Sequence, residues 1–149
     1  MWLTIYGAAN ITDNSSNAIN SELIDVIVSD HKPEDEESKR LPFAQAAEGS
    51  IGIETLLSLA LELYHNQSLP LKKIIETITC NPARILKINK GNLKKGSDAD
   101  LCIFDLNEPW KVDVSKLKSK SKNAAIENRK LQGKVLMTYL KGESVFSLQ

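Results

Sequence analysis

The chain has 149 residues, of which 42% are hydrophobic and 26% charged, and this is the composition of an ordinary globular chain of single-domain size. Nineteen lysines and arginines balance nineteen acidic residues, so no net charge would draw the chain to nucleic acid or to an anionic membrane surface. The sequence has only two cysteines, which argues against a disulfide framework. It contains no apolar run near the ~20 residues that span a bilayer and no signal-peptide pattern, so we expect a soluble cytoplasmic protein.

The first part of the chain predicts one buried strand followed by two helices. Residues 23–30 form a short run rich in β-branched side chains, which is typical of a parallel strand covered on both faces. Two apolar stripes at helical spacing follow, one of Ile53, Leu56, Leu57, Ala60 and Tyr64 and one of Leu71, Ile74, Ile75 and Ile78. Asn81, before Pro82, is expected to end the second helix and to cap a short third one.

After Gly91 the pattern changes to that of a strand-rich region. Residues 99–106 and 110–114 predict two strands, and residues 134–146 predict a hairpin that turns at Lys141 and Gly142. Between them lies the basic, serine-rich segment 116–123. We expect this segment to be a solvated surface loop rather than a phosphate-binding patch, because no aromatic or glycine-rich element accompanies it.

Asp30 is the last residue of the predicted parallel strand. In parallel α/β folds the side chains that carry chemistry lie at the carboxyl ends of strands, so Asp30 has the position of an active-site residue. By itself this position is more often that of a loop or capping acid. Its neighbour His31 would point to the opposite face of a regular strand and is expected to be a structural histidine.

Residues 24–57, "IDVIVSDHKPEDEESKRLPFAQAAEGSIGIETLL", closely resemble the last barrel strand and the following loop of the dihydroorotases, members of the amidohydrolase superfamily. The resemblance continues through "TCNPARIL", "GNLKKGSDADLCIFD" and "SKNAAIENRKLQGKVLMTYLKGESVF" and covers about residues 17–146. It implies an α/β fold made of the carboxyl-terminal part of a (β/α)8 barrel, left incomplete, and part of a small β-sandwich. Residues 1–16 would be an altered, non-family start, 17–90 the last barrel strand and its helices, and 91–149 the sandwich portion.

The activity that the resemblance implies is the zinc-dependent, reversible cyclisation of N-carbamoyl-L-aspartate to L-dihydroorotate in pyrimidine biosynthesis. Asp30 matches the family's metal-binding aspartate, which is also the general base. Glu48 and Gly49 match a pair whose backbone groups contact the pyrimidine ring. Glu34 stands where the family has a histidine that helps to hold the substrate carboxylate, and an acid at this position would repel that carboxylate.

The family's other metal ligands and its substrate arginine belong to earlier barrel strands that the resemblance does not cover. We therefore expect the isolated chain to be inactive and to bind no zinc tightly, as a portion of a dihydroorotase from an incomplete or decayed reading frame. An open barrel is expected to expose the helix faces at Leu56, Ile74 and Ile78, which favours association or aggregation.

Two other interpretations remain open at the level of sequence. The chain would be a non-catalytic dihydroorotase-like partner of aspartate carbamoyltransferase, which Glu34 favours, or an amidohydrolase relative that acts on another cyclic amide. A homo-oligomer is compatible with each of them.

Overall fold

The computed structural model describes residues 2–4 and 13–148, with side chains from residue 15 onward. Five strands are present in the described residues: β1 (Trp2–Thr4), β2 (Val26–Val28), β3 (Leu101–Lys111), β4 (Lys130–Leu140) and β5 (Glu143–Ser147). The helices are α1 (Asp13–Asn20), α2 (Glu36–Lys39), α3 (Leu56–His65), α4 (Leu71–Ile78) and α5 (Cys80–Ile85), with one 3₁₀ turn at Val114–Lys116. None of these helices is long and apolar enough to cross a bilayer.

The strand predicted before Asp30 is present and parallel, but it is shorter than expected and has a partner. β2 covers Val26–Val28 rather than 23–30, because Glu22 and Asp30, at φ 59° and 45°, adopt left-handed conformations that end an extended run on either side. β1, which the sequence did not predict, pairs with β2 in parallel. A segment of three residues is too short for periodicity to reveal it. Two strands fall well short of the eight that close a barrel of this class.

The helices pack around β2 and bury more apolar surface than the sequence predicted. The buried core consists of Ile19, Ile24, Ile27, Ala60, Leu63, Leu69 and Ile74. The expectation of an apolar patch at Leu56, Ile74 and Ile78 is therefore wrong, because Ile74 is fully buried and the other two pack against this core. The large exposed apolar side chains lie elsewhere, above all at Phe43 in the loop after α2 and at Leu93.

The short third helix is confirmed, but Asn81 does not cap it. α5 begins at Cys80, so that Asn81 lies inside the helix and Thr79 occupies the N-cap position. The Asn81 side-chain amide instead donates a hydrogen bond of 2.9 Å to the backbone carbonyl of Asp25. This contact ties the helix to the residue that precedes β2.

The last part of the chain forms the predicted separate sheet, an antiparallel one in the order β3-β4-β5. The two strands predicted at 99–106 and 110–114 are a single strand, β3, with an irregular centre. There the Asp105 carboxylate accepts hydrogen bonds from the amides of Asn107 (2.8 Å) and Glu108 (3.1 Å), an Asx turn that interrupts the register without ending the strand. The β4–β5 hairpin turns at Lys141 and Gly142, whose φ of 52° and 86° suit a tight hairpin turn.

Helix α3 joins the helical part to the sheet through polar contacts. The Ser58 hydroxyl donates to the Gly133 carbonyl at 2.5 Å, and the Trp110 indole N–H lies 3.1 Å from both oxygens. One turn further along, Glu62 pairs with Arg129 at 2.9 Å. Burial raises the pKa of the Glu62 carboxyl, and the positive charge of Arg129 offsets this only in part.

Two glycines with nearly the same φ separate the cost of close packing at this junction from the cost of a left-handed backbone. Gly133 and Gly96 have φ of 91° and 90°, but a Cβ at Gly133 would lie 2.4 Å from Leu61 Cδ1, whereas one at Gly96 would meet nothing within 4 Å. We expect Gly96→Ala to cost about 1 kcal/mol through its left-handed backbone alone, and Gly133→Ala to cost about 2 kcal/mol more through overpacking. Urea unfolding measures both, and equal losses would contradict the packing argument.

Candidate functional site

Asp30 lies two residues beyond the end of β2. Its φ of 45° is left-handed, a conformation that aspartate adopts more readily than most residues with a Cβ. Five other non-glycine residues in the described part of the chain also have positive φ, so this conformation sets the direction of the chain and is not by itself a sign of function. Asp30 is exposed, and it lines a cavity together with Val28 and Ser29.

The cavity beside Asp30 is small and has an apolar wall. Its volume is about 20 Å³, and its apolar lining includes Leu56 and Ala60 from α3 and Ile126 from the segment before β4. This volume accommodates about one water molecule. The described residues thus form one side of a site and do not enclose a ring-sized ligand by themselves.

His31 is held by the backbone across the site loop, which we define as residues 30–52. It forms a parallel bridge with Ser50, and its Nδ1 accepts hydrogen bonds from the amides of Gly52 (3.1 Å) and Ile53 (3.4 Å). With Nδ1 as an acceptor, the ring proton of the neutral imidazole lies on Nε2. His31 therefore fixes the far end of the site loop beside Asp30, as a structural histidine does.

The other predicted site residues lie in the same loop. The Glu34 carboxylate is 3.5 Å from Lys32 Nζ, with 23% of its side chain exposed. The Gly49 carbonyl accepts hydrogen bonds from Lys39 Nζ (3.0 Å) and Asn123 Nδ2 (3.3 Å), and Glu48 is exposed. The loop thus brings Asp30, Glu34 and Gly49 onto one segment, while their predicted roles toward a substrate stay predictions.

The segment 116–123 is a surface loop with four exposed lysines, as predicted, but its partly buried residues also dock on the site loop. Its last residue, Asn123, donates to the carbonyls of Lys32 (3.4 Å) and Gly49 (3.3 Å) and accepts from the amide of Glu34 (3.4 Å). Ser121 donates to the Glu34 carbonyl. The sequence missed this docking because Ser and Asn side chains suit solvent and backbone contacts equally well, and periodicity does not reveal which they make.

The part of the chain with described side chains offers few possible ligands for a metal ion. No three His, Cys, Asp or Glu side chains converge there. Asp30 offers one carboxylate, and His65 Nε2 lies 3.1 Å from the Leu106 carbonyl. A catalytic zinc site uses three protein ligands, so these residues do not fit zinc by themselves.

Comparison with known proteins identifies the family. The model of the amidohydrolase family matches residues 10–145, nearly the whole chain. The chain belongs to the amidohydrolase family. This agrees with the predicted resemblance to the amidohydrolase superfamily.

Curated dihydroorotases are similar to this chain over most of its length. The dihydroorotase of Ehrlichia chaffeensis is 46% identical over 131 residues, which are 88% of this chain and 29% of the relative. The dihydroorotase of a Wolbachia from Drosophila simulans is 41% identical over 84% of this chain and 28% of its own length. The resemblance to dihydroorotases is thereby confirmed.

Solved structures show the same architecture. The L-hydantoinase (dihydropyrimidinase) of Arthrobacter aurescens superposes with a TM-score of 0.79 at 32% identity, over 91% of this chain and 32% of that one. The dihydropyrimidinase of Brevibacillus agri gives a TM-score of 0.85 at 21% identity, which supports the fold alone. The chain spans less than a third of the length of each of these four proteins.

The pKa of Asp35 tests the capping hydrogen bond in the first part of the site loop. It caps α2, and the Ser38 amide donates to its carboxylate at 2.8 Å. This backbone hydrogen bond, with a smaller contribution from the Ser38 hydroxyl, lowers the pKa of Asp35 below its ordinary 3.8. A lowered pKa means that the cap stabilises the loop above pH 3.8 and that this contribution is lost as the pH falls through the lowered value.

An NMR titration of the Asp35 carboxyl carbon measures this pKa directly. We expect a value below 3.8 in the native chain and a partial return toward 3.8 in Ser38→Ala, which keeps the backbone donor. Asp35→Asn retains the cap without a titrating group and confirms the assignment. A native pKa at or above 3.8 would show that the cap does not form.

Proposed function

We propose that this chain supplies one side of a dihydroorotase active site, in which L-dihydroorotate and N-carbamoyl-L-aspartate are interconverted, and that the 149 residues do not catalyse this reaction alone. The observation that carries the proposal is the 46% identity to the dihydroorotase of Ehrlichia chaffeensis across 88% of the chain. The L-hydantoinase with the same architecture is only 32% identical. This difference favours dihydroorotate over a hydantoin as the substrate.

Asp30 is the proposed general base. Its carboxylate is exposed at the strand end and borders a cavity that accommodates a water molecule. In the hydrolytic direction it takes a proton from the water that attacks the ring carbonyl, and it returns that proton to the amide nitrogen as the ring C–N bond breaks. Asp30 thus gains and loses one proton in each cycle, and the ring opens to the carbamoyl acid.

Zinc is part of the proposed activity, but this chain provides only a fraction of a zinc site. Asp30 would contribute one carboxylate ligand, and the described residues contain no cluster of three possible ligands. The remaining ligands would have to come from other residues of a complete enzyme. We therefore propose that the isolated chain binds zinc weakly, without the one-to-one stoichiometry of a catalytic site.

A hybrid enzyme tests the proposal most directly. In it, the matched segment of the Ehrlichia chaffeensis relative is replaced by the corresponding residues of this chain, so that Asp30 and the site loop act in a full-length background. We expect the hybrid to turn over L-dihydroorotate with added zinc, while the purified 149-residue chain shows no turnover in either direction. Asp30→Ala should reduce kcat of the hybrid by about 10²-fold or more, as expected for loss of a general base.

Asp35→Asn is the matched control, because it changes another aspartate of the same loop and preserves the cap. It should leave kcat of the hybrid within about two-fold, since the Asp35 side chain accepts the Ser38 amide as a cap and an asparagine keeps that contact. Turnover by the isolated chain that disappears in Asp30→Ala would mean that copies of the chain complete the site. An inactive but folded hybrid would contradict the proposed function.

A non-catalytic role beside aspartate carbamoyltransferase is the second candidate, and Glu34 favours it. The Glu34 carboxylate, paired with Lys32 at 3.5 Å, stands where dihydroorotases are expected to offer a histidine to the substrate carboxylate. A folded but inactive hybrid, together with co-sedimentation of the chain with aspartate carbamoyltransferase, would support this role.

Replacing Glu34 tests its effect on substrate binding. In the hybrid, Glu34→His should lower KM by roughly five-fold, because one repulsive charge near the substrate anion costs on the order of 1 kcal/mol. Glu37→His, at an exposed position of α2, is the control for a histidine introduced nearby. An unchanged KM in Glu34→His would show that Glu34 is turned away from the substrate.

A further inference from the structure

We propose that Lys39 and Asn123 are positioning residues that hold the substrate-contacting segment Glu48–Gly49 in place through the carbonyl of Gly49. This inference rests on the proposed function, because Glu48 and Gly49 matter as a contact only if a substrate binds beside Asp30. We call the arrangement of Lys39, Asn123 and the Gly49 carbonyl the Gly49 clamp.

The clamp joins three parts of the chain that are remote in sequence. Lys39 Nζ, at the end of α2, donates to the carbonyls of Ala47 (2.7 Å) and Gly49 (3.0 Å). Asn123 Nδ2, from the segment before β4, donates to Gly49 (3.3 Å) and Lys32 (3.4 Å). A carbonyl oxygen has two lone pairs, so these donors account for the full acceptor capacity of Gly49.

The clamp fixes the orientation of the peptide between Gly49 and Ser50. In a trans peptide the carbonyl oxygen and the following N–H point in opposite directions. When Lys39 and Asn123 hold the Gly49 oxygen, the Ser50 amide faces the other way, where Ser50 bridges His31 at the end of β2. The clamp therefore sets the position of residues 48–50 relative to Asp30.

The backbone at Gly49 leaves little freedom for another arrangement. Its φ is 116°, and a Cβ at this position would lie 2.6 Å from Lys32 Cδ. A side chain is thus excluded from the face where the loop approaches Lys32. The segment depends on hydrogen bonds to its carbonyl for its position, and Lys39 supplies the stronger bond because its ammonium is charged.

The remaining polar contacts of Asn123 support the same role. Its Oδ1 accepts from the Glu34 amide at 3.4 Å, and its backbone carbonyl accepts from the Ser50 hydroxyl (3.0 Å) and the Ile51 amide (3.3 Å). The side chain and the backbone carbonyl of Asn123 therefore contact the site loop both near Glu34 and near Gly49. Displacement of Asn123 would shift both proposed substrate contacts together.

The first measurement uses the 149-residue chain and does not depend on catalysis. Amide hydrogen exchange by NMR is compared for native chain, Lys39→Met and Asn123→Ala, with Lys72→Met and Asn107→Ala as matched controls at exposed positions. We expect protection of the Lys32 and Ala47 amides, which close the two sides of the loop, to fall about ten-fold in the clamp variants and not in the controls. Unchanged protection in both clamp variants would overturn the clamp.

The second measurement separates positioning from a purely structural role. In the hybrid enzyme, Lys39→Met and Asn123→Ala should each raise KM about ten-fold and leave kcat within about two-fold, because they displace a binding segment and not the base. Lys39→Arg, which keeps a charged donor, should restore most of the affinity. The double variant should lose less than the product of the single effects, since both residues act on one carbonyl.

The outcomes distinguish this inference from the function on which it rests. Reduced protection and lower unfolding stability with an unchanged KM would show that the clamp is structural only, and would overturn the positioning role. An equal loss in kcat and in kcat/KM would show that the variants affect the catalytic step at Asp30. This result would also overturn the positioning role. An inactive wild-type hybrid would remove the proposed function, and the positioning role with it, whatever the exchange data show.

Discussion

The packing of α3 against the antiparallel sheet is the contact on which the candidate site depends. Ser58 bonds the Gly133 carbonyl from within the helix, and Trp110 closes the same position from β3. Gly133 permits this close approach because a Cβ would collide with Leu61. The helix fixed in this way also provides Leu56 and Ala60 to the cavity beside Asp30. Helix α3 therefore connects the antiparallel sheet directly to the cavity beside Asp30.

The same architecture explains why Asp30, two residues after β2, adopts a left-handed conformation. β2 is buried between helices, and Val26 and Ile27 are each about 1% exposed. The chain must leave this layer at once and cross to residues 50–52, where His31 bridges Ser50 and its ring accepts from the Gly52 amide. A left-handed Asp30 makes that change of direction within one residue. The contacts of His31 on one side and of β2 on the other hold Asp30 in this conformation.

The sequence predicted the elements whose evidence lies within a short window. The buried run before Asp30, the apolar spacing of α3 and α4, and the Lys141–Gly142 turn are all local patterns, and each corresponds to an observed element. The predicted ends of the helices and strands, and the predicted apolar faces, were less accurate. Helical spacing places Ile53 in the apolar stripe of α3, but the helix begins at Leu56 and Ile53 is 63% exposed. Tertiary packing, rather than helical spacing alone, decided which residues face the core.

The candidate site was predictable only where one residue type at one position carried it. Asp30 was a candidate because an acid at the end of a buried parallel strand has a position with a chemical meaning, and the match to the dihydroorotase aspartate favoured this role over that of a loop or capping acid. Lys39, Ser121 and Asn123 could not be found, since their partners are backbone carbonyls and amides, which look alike in every sequence. Asn123 lies 74 residues from the Gly49 carbonyl that it contacts. Long-range contacts of side chains with backbone leave no periodic trace, and for this reason the support of an active site is harder to recognise in a sequence than its reactive group.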